Sequence, residues 1–133
     1  MSRPDSRPLS PHLQVYRLPL TALLSILHRF TGVILAFGMA PLTVVLVAAA
    51  ADAAAYEQLR ALLAAWWGQV LLALWTGALY FHLCNGIRHL FWDAGFGFDA
   101  AVAFRTSLWT AAGALALTAL TWFAALWVRG MPA

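Results

Sequence analysis

The sequence predicts an all-α membrane protein with three transmembrane helices. Three observations predict it. The chain of 133 residues is 63% hydrophobic and only 10% charged, against roughly 25% charged residues in a soluble globular domain, and its mean hydropathy is +0.78. Three runs, Phe30–Ala51, Ala61–Phe81 and Thr106–Val128, carry no charge and each reaches the roughly 20 residues that a helix needs to cross the hydrocarbon core. The runs are continuously apolar and rich in Ala and Leu, where barrel strands would alternate.

The segment Met1–Leu24 precedes the first span and reads as a cytoplasmic N-terminal unit, leaving residues 25–133 as the three-helix anchor domain. Its prolines and polar residues favour a tail over a stable helix. It carries Arg3, Arg7 and Arg17 and lacks an apolar stretch closing on small residues, so no cleavable signal peptide is expected and the first span serves as its own insertion signal.

Ser25, His28 and Arg29 enter the first span at i, i+3 and i+4, on one helical face. Gly32, Ala36 and Ala40 continue that face, a stripe of small residues that lets another helix or a flat ligand approach the backbone. Two readings stand: a binding face, or a histidine and an arginine snorkelling to the interface above a packing stripe. Pro41 is expected to bend the helix beyond it. A loop over Asp52–Arg60 follows.

The second span ends in the stretch Phe81–Asp93, FHLCNGIRHLFWD. His82 lies between Ala78 and Gly86, one turn to either side, and Asn85, His89 and Asp93 extend the stripe at helical spacing. With a hydrocarbon boundary near Ile87, His82 sits about 8 Å inside it. An imidazole at that depth requires a partner, either a metal or an interhelical hydrogen bond. One histidine cannot fill both axial positions of a haem iron, so under the first reading the second ligand comes from another chain. Cys84, alone of its kind, has no disulfide partner in the chain and reads as a packing residue. Arg88 and Asp93 suit an ion pair at the helix end, or Asp93 a cap on the loop Asp93–Phe104 that leads to the third span. Trp66, Trp67 and Trp92 fall at boundaries as an aromatic belt does, and Trp75 reads as packing.

All eight basic residues other than histidine are arginines. With three spans, Arg3, Arg7, Arg17, Arg29, Arg88 and Arg105 share one side, and Arg60 and Arg129 the other, so the N-terminus is expected in the cytoplasm. The arginines are scattered along the membrane edge, which argues against nucleic-acid binding and suits anionic headgroups or a soluble partner.

Three stretches, Arg7–Tyr16 (RPLSPHLQVY), Ser25–Gly32 (SILHRFTG) and His82–Asp93 (HLCNGIRHLFWD), resemble the signature segments of the large cytochrome b subunits of succinate dehydrogenase, respiratory complex II, in order and spacing. The resemblance covers nearly the whole chain, and it implies that the three helices form part of a heteromeric helical bundle. It implies that His82 is an axial ligand of one haem b, shared with a histidine of a small membrane-anchor subunit. It implies that His28 and Arg29 lie at the haem propionates, and that Ser25 and Arg29 hydrogen-bond quinone. His89 is a supporting polar residue. The N-terminal segment, with His12 and Tyr16, is implied to dock on the iron–sulfur subunit, with a flavoprotein subunit beyond it, in the inner membrane of a bacterium. The chain has no nucleotide fingerprint and no cysteine cluster, so it is not expected to oxidise succinate by itself. A haem-free structural anchor is the alternative, and the residues alone leave it open.

Overall fold

The computed structural model describes residues 17–130. It contains α1 (Leu20–Ala51), α2 (Ala53–Ala64), α3 (Trp66–Asp93) and α4 (Ala100–Arg129). The three long helices are apolar enough to cross a membrane, and among the described residues they are the three such spans. Residues His12 and Tyr16, and most of the Met1–Leu24 segment, lie outside the described residues.

The first loop differs from the sequence-based expectation. Residues 53–64 form α2, so the run beginning at Ala61 is divided: Ala61–Ala64 complete α2, and the second span starts at Trp66. Asp52 makes this possible by ending α1 and accepting from the backbone N–H groups of Ala54 and Ala55, both at 3.0 Å, as an N-cap. The chain then turns sharply into α3 past Gly68, where a methyl group would stand 2.6 Å from the Leu62 carbonyl oxygen. Only glycine permits that approach. Pro41 lies inside α1, which runs helical to Ala51.

α3 runs through His82 to Asp93 and ends in a Schellman turn. Phe96 N–H donates to the Phe91 carbonyl (3.0 Å) and Gly95 N–H to that of Trp92 (2.8 Å), with Gly95 in the left-handed region at φ +88°. Asp99 caps α4 by accepting from Ala101 and Val102. The second connection is therefore shorter than Asp93–Phe104.

α3 packs against both α1 and α4, antiparallel to each, and α2 bridges α1 and α3 at the far end. Glycines let the helices close up: Trp75 of α3 lies directly on Gly38 of α1, and Cys84 Sγ lies 3.6 Å from where a methyl on Gly113 of α4 would be. Buried apolar residues are few among those described, namely Leu24, Ala48 and Ala114, whereas Thr31, Asn85, Arg88, Ser107 and Thr110 are buried. Outward, Phe37, Trp66 and Trp109 are 78%, 79% and 75% exposed. Such polarity, polar between helices and apolar outside, is that of a bundle whose solvent is lipid.

Candidate functional site

Two seams flank α3, and His28, His82 and His89 occupy one of them. Because α1 and α3 run antiparallel, the start of α1 faces the end of α3, and His28 meets His82 and His89. The His28 and His82 rings stack with centroids 3.9 Å apart and planes 12° from parallel. His89 lies 5.2 Å from His28, and its ring meets Trp92 edge-on at 5.1 Å. The small residues of both stripes make room. A methyl on Gly32 would stand 3.0 Å from His82 Cε1, and one on Gly86 3.8 Å from His28 Cε1.

The His82 ring is held by its Nδ1. That atom lies 3.1 Å from the His28 carbonyl oxygen and 3.2 Å from Thr31 Oγ1. Thr31 spends its own hydroxyl proton on the same carbonyl, at 2.9 Å. A carbonyl can only accept, so the pair assigns the imidazole proton to Nδ1 and leaves the lone pair on Nε2. No described residue hydrogen-bonds Nε2. His28 Nδ1, in contrast, is buried without a partner.

Ser25 and Arg29 stand on α1 one turn apart, Ser25 half-buried and Arg29 exposed. Neither is tied by a hydrogen bond to another described residue. No group of three or more His, Cys, Asp or Glu among the described residues is arranged to hold a metal ion. The cluster therefore offers one oriented imidazole lone pair instead of a complete metal cage.

The other seam, between α3 and α4, takes residues that the sequence placed on the histidine stripe or at the helix end. Asn85 is fully buried and accepts from Arg88 Nη1 at 3.3 Å. Arg88 also donates from Nε to Thr106 Oγ1 (3.1 Å) and from Nη2 to the Ala103 carbonyl (3.2 Å), and its Cζ lies 4.0 Å from the centroid of the Trp92 ring. The Arg88–Asp93 ion pair does not form: Asp93 is exposed, and Glu57–Arg60 is the ion pair among the described residues. The buried Arg88 guanidinium is shared instead among three oxygens, of Asn85 one turn back and of Ala103 and Thr106 on the neighbouring helix. Sequence reasoning gave no role to Thr31. Its signal was its place three residues after His28 and beside Gly32, which turns its hydroxyl to the seam.

The family model for the succinate dehydrogenase/fumarate reductase transmembrane subunit matches residues 3–126. The chain is 44% identical over 116 residues to the succinate dehydrogenase cytochrome b556 subunit of Paracoccus denitrificans, covering 87% of this chain and 89% of that protein. It is 39% identical over 118 residues to the subunit of the same name from Rickettsia conorii and 37% to that from Rickettsia felis, in each case covering 89% of this chain and 92% of the relative.

Proposed function

The chain belongs to the succinate dehydrogenase/fumarate reductase transmembrane subunit family, and on that premise we propose that it is the haem b-binding membrane anchor of a succinate:quinone oxidoreductase. The observation that carries this reading is the His82 ring, whose Nδ1 is engaged by two oxygens while Nε2 is left to coordinate. This is the arrangement of a metal-ligating histidine, whose second nitrogen is fixed by a backbone carbonyl. The buried Nδ1 of His28, without a partner among the described residues, suits a polar group of a ligand brought to the same seam. The cytochrome b556 name of the Paracoccus and Rickettsia relatives supports haem b.

In this reading His82 would hold the haem iron through Nε2, and a histidine of a small membrane-anchor subunit would supply a second ligand. His28 and Arg29 would hold the propionates, since an N–H group and a cation satisfy carboxylates. Bound haem supplies a one-electron centre beside the quinone site. Ser25 and Arg29 hold the quinone oxygens, the hydroxyl by a neutral hydrogen bond and the guanidinium by a charge-assisted one that strengthens as negative charge develops. Succinate oxidation belongs to the flavoprotein subunit, and electrons arrive through the iron–sulfur subunit docked at the end where α1 begins.

Ser25→Ala tests the quinone site with the least disturbance. It should lower succinate:quinone activity about 10-fold or more, the usual loss when a positioned polar contact goes, while succinate oxidation by a soluble dye that bypasses the membrane persists. Arg29→Lys should do the same. Equal loss of both activities at matched amounts of complex would place the residues in assembly instead.

Six of the eight arginines lie on the N-terminal side, so that end faces the cytoplasm and α2 the opposite side. With Cys84 replaced, a cysteine at Gln58, exposed on α2, should react with an impermeant reagent from outside. Labelling from the cytoplasm alone would invert the topology.

A further inference from the structure

Thr31 is hidden, 8% exposed, at the point where α1 comes closest to the His82 ring. A threonine hydroxyl bonding the carbonyl three residues back is ordinary in a helix and by itself signifies nothing. Here the carbonyl it bonds, that of His28 at 2.9 Å, is also the one that the imidazole of the other helix reaches at 3.1 Å, and the threonine oxygen itself lies 3.2 Å from the same Nδ1. Three groups on two helices thus share one small hydrogen-bonded ring. Because the threonine proton is committed to the carbonyl, the threonine oxygen turns a lone pair to Nδ1–H, and the imidazole proton faces two acceptors. The rest of the clamp is steric: Gly32 lets Cε1 come within 3.0 Å of where a methyl would sit, and the His28 ring covers the imidazole at 3.9 Å.

We infer that Thr31 is a positioning residue that, together with the His28 carbonyl, fixes the tautomer and rotation of His82 and holds down the potential of the haem it ligates. The inference rests on the assignment of His82 as haem ligand. An imidazole whose N–H is held by oxygen acceptors is a stronger donor to a metal, and a stronger donor favours the ferric over the ferrous state. Thr31 therefore acts on the haem through His82.

The test is a redox titration of the b-type haem in the purified whole complex, comparing wild type with Thr31→Val, which keeps the shape and loses the hydroxyl, and Thr31→Ser, which keeps the hydroxyl. Loss of an outer-shell partner typically changes such a site on the order of 10-fold. Thr31→Val should therefore raise the midpoint potential by about 59 mV, the equivalent of that factor for one electron, with Thr31→Ser close to wild type. A rise of less than about 28 mV, a threefold change on the same scale, overturns the inference. So does an equal shift in both variants, since a packing role would not distinguish them. His82→Ala separates this from the underlying assignment. If it leaves the haem spectrum intact, the ligand itself is misassigned. If it removes the spectrum while Thr31→Val leaves the potential in place, only the role of Thr31 fails. Should Thr31→Val not assemble, a structure of the wild-type complex decides: Nε2 on iron with Nδ1 on Thr31 supports the inference, and Nδ1 on iron overturns it.

Discussion

The two seams of α3 are made of similar materials and finished differently. Toward α4, Arg88 is spread over Asn85, Thr106 and the Ala103 carbonyl, the Tyr80 and Thr121 hydroxyls bond at 2.8 Å, and Ser107 bonds the Ala103 carbonyl at 2.8 Å. Toward α1, imidazoles stack, and hydrogen-bonding capacity is left over at His28 Nδ1 and Trp75 Nε1; the α4 side leaves one such atom, Asn85 Nδ2. A polar group in hydrocarbon is retained only where it holds helices together or meets a ligand. The α4 seam meets the first description; on the α1 seam His82 Nδ1 also joins two helices, through Thr31 and the His28 carbonyl, and its Nε2 is the atom that the proposed ligand would use.

The comparison breaks if the seams cannot be separated by mutation. The largest expected structural effect is that of Arg88→Ala, which removes three hydrogen bonds. At about 0.6 kcal/mol for each such bond within a membrane, this amounts to about 2 kcal/mol, and the amount of assembled complex should fall roughly 20-fold. The haem spectrum per assembled complex should stay that of wild type. Native gels beside absorption spectra check it, and a spectral change as large as the assembly defect would merge the two seams into one functional unit. Tyr80→Phe sharpens the contrast at the small end. It deletes one bond of the same seam, about 0.6 kcal/mol, and should lower assembly by about threefold or less, with quinone activity per complex unchanged.

How much of this was legible in the sequence follows the range of the forces involved. The three spans were legible because continuous apolar composition is a local property, as were the two faces that carry His28 and His82, whereas the stacking of the two rings depends on how α1 and α3 pack. The helix α2 was not legible, since Ala53–Ala64 is of mixed polarity, and what starts it is a single carboxylate, Asp52, capping the new helix. The partners of Arg88 were missed for another reason. Position along α3 gives its angle on the helix, yet only the placement of α4 determines that Thr106 and the Ala103 carbonyl wait there. Asn85 was set on the histidine stripe by the same shortfall: a residue three positions from His82 lies on the shoulder of its face, and the neighbouring helix decides which seam receives it. Thr31 is the converse case, a residue of the quoted motif whose role depends on a ring 51 residues away.

The central claim, that the α1 seam is the cofactor side of the anchor and His82 its ligand, is tested most directly by the reduced-minus-oxidised absorption spectrum of the assembled complex carrying His82→Ala. Loss of the imidazole should abolish or shift the low-spin b-type bands, because the axial ligand sets the field at the iron, while succinate oxidation by a soluble dye continues. A spectrum identical to that of wild type, at equal haem content per complex, would contradict the claim.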